Sequence, residues 1–188
     1  MSGSVTCQEE SFSTRKRAPQ ARQCLIGGNY GLLNRTTFEP QPDYFIAWIY
    51  RRLFDDVLGD PITSVHATTS QATENTGLRV FAFRGQGSLP GSLGDKQMVY
   101  VLINLSVKQA FSVTLPAAAA AASGGQRAEW HLRGAPDERA TKITVNGETL
   151  ALAPSLPPFL WDLGKLAKEA APGAPVAVAP ASIVFAAV

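Results

Sequence analysis

Chemistry in this chain would most plainly start at Gly27-Gly28-Asn29-Tyr30-Gly31, where glycines and turn formers follow the apolar run Gln23–Ile26. Glycines let successive backbone N–H groups turn toward one point, and such concavities bind anions. Tyr30 adds a phenolic donor beside that point. A carboxylate or phosphate on a substrate would suit it; a sterically tight turn with a packed tyrosine is the plainer alternative. No Gly-Lys-Ser/Thr follows, so this is no P-loop, and no helix starts at the glycines as a dinucleotide site requires.

Carboxylates offer little else. Glu9-Glu10 lies in a polar leader, Asp55-Asp56 falls late in a helix where the dipole disfavours anions, and Asp137-Glu138 falls in a turn. Glu129 sits in an alternating segment at a position expected to face solvent. No pair is expected on rigid structure across a cleft, as general acid–base or nucleophilic work demands. A nucleophile-elbow serine is also missing. Cys7 and Cys24 make no disulfide framework, and His66 and His131 are isolated from each other and from cysteine, so neither a metal site nor a cofactor motif is indicated. Trp48, Trp130 and Trp161 are expected to pack in the core rather than to stack on sugars.

The elements that would position these residues divide the chain in three. Residues 1–21 are polar and aperiodic and are expected to form a disordered leader. Residues 22–59 hold a short buried strand, the Gly-rich turn and a helix over Pro40–Gly59, entered at Pro42-Asp43 and ended at Gly59. Its stripe of Ile46, Ile49, Leu53 and Val57, widened by Phe45, Trp48 and Phe54, asks for a large partner surface. One strand and one helix bury too little apolar area to offset their ordering entropy. They are expected to be the last βα unit of a truncated (β/α)8 barrel, with the helix face left open to association.

From residue 60 to 188 the period changes from 3.6 to 2. Strands are expected at Ile62–Thr68, Leu78–Arg84, Met98–Leu105, Phe111–Leu115, Ala128–Leu132, Lys142–Val145, Thr149–Leu152 and Ile183–Val188. Asn146-Gly147 between two of them spells a type I′ hairpin. The fold class is thus mainly β, an antiparallel β-sandwich behind the βα unit. Apolar residues make up 45%, enough for a core, while a net charge of +2 with scattered basic residues gives no nucleic-acid footprint. No apolar run reaches the length of a transmembrane span, and no signal peptide opens the chain. Two sequons, Asn34-Arg35-Thr36 and Asn104-Leu105-Ser106, lean toward the secretory pathway and toward glycans on Asn34 and Asn104.

The stretch "RQCLIGGNYGLLNRTTFEPQPDYF" from Arg22 to Phe45 resembles the segment that closes the catalytic barrel in heparanase-like glycoside hydrolases of family 79, plant-type members above all. The resemblance runs on, in order, through "VYVLINLS", "RAEWHLRG", "ITVNGETLAL" and "VAPASIVFAAV". It implies a β-glucuronidase that cleaves uronate-containing glycans with retention, through two glutamates upstream of anything present here. By the same resemblance Gly28 and Tyr30 contact the uronate carboxylate and Gln23 lies near the pocket floor. This chain is then expected to be a C-terminal portion without its catalytic pair, inactive alone, whose parent enzyme is extracellular, lysosomal or vacuolar. A non-catalytic carbohydrate-binding or structural sandwich is the competing expectation.

Overall fold

A computed structural model describes residues 7–9, 31–54, 63–65, 67–69, 77–84, 98–116, 127–135, 142–150, 162–171 and 173–188. Twelve strands and two helices follow one another among them. They are β1 (Cys7–Glu9), α1 (Pro42–Phe54), β2 (Thr63–Val65), β3 (Ala67–Thr69), β4 (Leu78–Arg84), β5 (Met98–Asn104) and β6 (Phe111–Val113). Then come β7 (Arg127–Ala135), β8 (Lys142–Val145), β9 (Glu148–Leu150), α2 (Leu163–Leu166), β10 (Lys168–Ala170), β11 (Val176–Val178) and β12 (Ser182–Ala187).

The molecule is mainly β, and its pairings are antiparallel. An eight-stranded sheet runs β2-β4-β5-β12-β7-β8-β9, with β10 also pairing β7. The last strand in sequence, β12, is central: Val184 pairs with Leu102 of β5 on one side and His131 of β7 on the other. Its run Ile183–Ala187 has the continuous apolar character of a strand covered on both faces. Two smaller pairs complete the strands, β11 with β6 and β1 with β3. The β1 pairing gives regular structure to part of the stretch expected to be a disordered leader.

Strand alternation sends side chains to two cores. On one face Phe83, Val99, Val101, Trp130, Leu132, Val145 and Phe185 meet Phe45, Ile49 and Leu53 of α1 and Leu163 of α2. On the other, Leu78, Val80, Tyr100, Leu102, Val184 and Ala186 pack with Val113, Val176 and Val178 of the β6–β11 pair. The expected open helix stripe is therefore corrected: Ile49 is 0% exposed and Phe45 and Leu53 only 2%, because the chain's own sheet covers them. Tyr50 seals the contact edge-on to Phe83, with centroids 6.2 Å apart. Val57 lies outside the described residues.

The hairpin forms as its sequence dictates. Val145 pairs with Glu148, and the two loop residues Asn146 and Gly147 have φ of 51° and 88°, the positive pair a type I′ turn needs. Gly77, at φ 75°, opens β4 where a Cβ would meet the Ser106 amide nitrogen at 3.2 Å. A glycine is required there on both counts. The segments α2, β10 and β11 carry too few residues each for periodicity to reveal them; the Asp162 cap and local backbone bonds define α2, and pairing with β7 and β6 defines β10 and β11.

Candidate functional site

The residues first in line for substrate contact, Gln23, Gly28 and Tyr30, lie outside the described residues. The chain just beyond them leads into α1. Leu33 bridges Pro40, and Gln41 donates its N–H to the Leu32 carbonyl at 2.8 Å, so residues 32–41 form a closed loop at the helix entrance. Asn34 organises it: its Oδ1 accepts the N–H groups of Thr36 (2.8 Å) and Thr37 (3.0 Å), while its backbone accepts from Phe38. This is the local side-chain-to-backbone bonding that makes asparagine a turn former. Asn34 is half-buried and Thr36 exposed.

The second sequon differs in kind. Asn104 is 2% exposed, and its Nδ2, the atom a glycan would occupy, donates to the carbonyls of Gln109 (2.7 Å) and Ala179 (2.8 Å). Its Oδ1 accepts the Ser106 N–H at 2.9 Å. In the folded chain the Asn104 amide is thus enclosed and both its protons are engaged, unlike the half-buried Asn34. Among the described residues no group of His, Cys, Asp and Glu could hold a metal ion, and no helix is long and apolar enough to cross a membrane.

Sequence reasoning missed a buried charged cluster among the described residues. Arg127, Glu129 and His131 alternate along β7 on the face shared with Val184 and Ala186, their register partners' side of the sheet. Glu129, expected in solvent, is 3% exposed. Its Oε1 accepts Arg127 Nε at 2.8 Å, and its Oε2 lies 2.7 Å from His131 Nε2. Arg127, itself 1% exposed, also donates through Nη1 to the Ala174 carbonyl at 2.7 Å, tying β7 to the turn before β11. Burial by itself would push the Glu129 carboxyl up; the hydrogen bonds of His131 and Arg127 and their charges outweigh burial and hold it below the ordinary carboxylate range. A carboxylate so held is a poor proton donor at neutral pH and has no open approach, so it serves structure rather than acid catalysis. The polar alternation Arg-Ala-Glu-Trp-His was visible in sequence, but nothing local said that this face is covered.

The opposite face of β7 carries Trp130, wholly buried, with Nε1 donating to the Leu163 carbonyl at 2.9 Å. It is core, as expected, and not a sugar platform. Trp161 lies outside the described residues.

No family model matches the chain. Individual proteins do. Heparanase-like protein 3 of Arabidopsis thaliana is 69% identical over 32 residues, 17% of this chain and 6% of that protein. Heparanase-like protein 1 of the same plant is 36% identical over 94 residues, half of this chain and 14% of its own length. The chain is similar to heparanase-like proteins. A further relative of the same kind, the baicalin-β-D-glucuronidase of Scutellaria baicalensis, is 26% identical over 141 residues, 71% of this chain. The match covers 22% of that enzyme, so this chain spans about a fifth or less of the heparanase-like and glucuronidase sequences it matches. Among solved structures, a family 44 xyloglucanase of Paenibacillus polymyxa is 17% identical, covering 76% of this chain and 22% of its own, with a TM-score of 0.35. A family 51 α-L-arabinofuranosidase of Thermotoga petrophila gives a TM-score of 0.32 at 14% identity. Likeness that loose fixes no point of the architecture, and the relationship to heparanase-like proteins rests on sequence.

Proposed function

We propose that this chain is the C-terminal portion of a heparanase-like β-glucuronidase of glycoside hydrolase family 79, which acts on uronate-containing glycans with retention. It would hold the last βα unit of the catalytic barrel and the β-sandwich behind it. The observation that carries this is the 141-residue similarity to a β-D-glucuronidase, together with the dense 32-residue match to a heparanase-like protein. Two cores on opposite faces of one sheet, one closed by α1 and one by the β6–β11 pair, support a layered domain with a helix seated on it.

Within this reading Gly28 and Tyr30 hold the uronate carboxylate and Gln23 lines the pocket floor. The glycine amides supply an anion concavity and the tyrosine a directional donor. Retaining hydrolysis needs one carboxyl kept protonated and a second free to attack, about 5 Å apart. Glu129, the one buried glutamate among the described residues, meets neither condition, being ionised between Arg127 and His131. The chain by itself then binds uronate weakly and does not cut. The parent enzyme works in the secretory pathway or outside the cell, and Asn34 carries a glycan there.

The test pairs two measurements on the purified chain. Calorimetric titration with glucuronate oligosaccharides should give saturable binding that Tyr30→Phe weakens roughly tenfold, the worth of one buried hydrogen bond to a charged group. An aryl β-glucuronide should show no turnover. Turnover would refute the missing catalytic pair. Absent binding, or binding unmoved by Tyr30→Phe, would refute the uronate subsite and leave a structural domain.

A further inference from the structure

Asn146 does more than turn the hairpin. Along the side of β7 away from β12, β10 pairs with residues 127–129 and β8 with residues 132–135. Trp130 and His131 lie between these two partners with no strand opposite them on that side among the described residues. The Asn146 side chain closes this break. Its Oδ1 accepts the His131 N–H at 3.1 Å, and its Nδ2 donates to the carbonyls of Glu129 (2.8 Å) and Leu166 (2.7 Å). The Asn146 backbone N–H adds a bond to the His131 carbonyl at 3.0 Å. One primary amide thereby joins β7, the β8–β9 turn and the end of α2.

The next residue is Gly147, exposed, with nothing within 4 Å of where a Cβ would stand. Asn146-Gly147 is the single Asn-Gly pair in the chain; Asn29, Asn34, Asn75 and Asn104 precede Tyr, Arg, Thr and Leu. An asparagine amide is open to attack by the backbone nitrogen of the next residue, and a glycine there offers no side chain to obstruct the approach. We propose that Asn146-Gly147 is a fold-gated self-modification site, at which loss of the native sheet licenses deamidation and deamidation then opposes return to that sheet.

The chemistry balances with water as the only co-reactant. The Gly147 nitrogen bonds to Asn146 Cγ, the Cγ–Nδ2 bond breaks, and the Gly147 proton leaves with the amide nitrogen as ammonia. Water opens the resulting cyclic imide at either carbonyl to aspartate or isoaspartate. In the folded chain Cγ is held in place by the amide's three hydrogen bonds, so the imide forms only after they open. After the reaction a carboxylate stands where Nδ2 stood, facing the Glu129 and Leu166 carbonyls, which lose their donor and meet a negative charge. The isoaspartate product also lengthens the backbone within a two-residue turn whose register depends on its length.

The experiment ages the full chain at mildly alkaline pH, folded in buffer and unfolded in urea, and tracks the amide-to-acid mass change at each asparagine by peptide mapping. In urea Asn146 should deamidate faster than Asn29, Asn34, Asn75 and Asn104. Folding should slow it by roughly a hundredfold if all three bonds must open together, and by no less than about tenfold. The urea-aged pool should refold in a yield that falls in step with modification at Asn146. Equal rates in both states would overturn the gating. Full refolding of the modified pool would overturn the second half. Asn146→Gly keeps the turn without the amide and Asn146→Asp adds the charge, so a less stable or unfolded Asn146→Asp beside a folded Asn146→Gly supports the proposal. Equal stability of the two would refute the role of the charge.

Discussion

Replacing Glu129 by glutamine tests the buried cluster on β7 most directly. Glutamine keeps the volume and one acceptor oxygen but removes the charge that faces Arg127 on one side and His131 on the other. Arg127 is 1% exposed and cannot shed its proton, so its buried charge would lose the Glu129 carboxylate that faces it. Breaking a buried pair from one side costs about 3–5 kcal/mol, and the acceptor that glutamine retains puts the expectation near the lower end, about 3 kcal/mol. That is a large share of the roughly 5–15 kcal/mol by which a domain is stable. For a chain of 188 residues, it lowers Tm by roughly 6–12 °C. Urea denaturation monitored by circular dichroism measures the loss directly.

The same pair predicts a pH dependence of definite sign. The folded-state pKa of Glu129 lies below the ordinary value, so its contribution is fully present above the unfolded glutamate pKa of about 4.3 and disappears as pH falls through the lower folded value. The stability gap between parent and Glu129→Gln should therefore hold from neutrality to about pH 5 and close on further acidification. A gap that stays constant down to pH 3, or a neutral-pH loss under about 0.5 kcal/mol (the level of an ordinary surface substitution), would refute the reasoning. The double variant Arg127→Met with Glu129→Leu should recover much of the loss, since an apolar pair of similar volume leaves no charge stranded.

Ile49→Ala should destabilise the chain by about 2–5 kcal/mol and raise the binding of a hydrophobic dye, because Ile49 is wholly buried between α1 and the sheet; an effect below about 0.5 kcal/mol would mean that α1 is not docked there. Asn104→Ala should cost about 3 kcal/mol in urea titration, since the Gln109 carbonyl and the Ser106 amide lose their Asn104 partner and the Ala179 carbonyl is left with Ser182 Oγ alone of its two side-chain donors. When the chain is expressed through the secretory pathway, Asn34→Gln should abolish the glycosidase-sensitive mass of the folded product while Asn104→Gln leaves that mass unchanged.

Patterns that depend on neighbours along the chain were legible without a structure. The stripe of Ile46, Ile49, Leu53 and Val57, widened by Phe45, Trp48 and Phe54, pointed to α1, alternation to β4, β5 and β8, and Asn146-Gly147 to a type I′ turn, because each is decided by local dihedral preference and side-chain period. The similarity to heparanase-like proteins was also readable there, being a property of residue order. Burial was a different matter. A strand's alternation says which residues share a face and not whether that face meets water, so Glu129 read as exposed until β12 took the centre of the sheet and the turn at Ala174 closed over Arg127. The helix stripe asked for a partner but could not say that the chain's own sheet supplies it, nor could one sequon be told from the other while Gln109 and Ala179 were merely distant residues. Local chemistry determined the longer elements and the hairpin turn; long-range pairing decided which polar groups lost their water, and therefore which charges and amides the fold depends on.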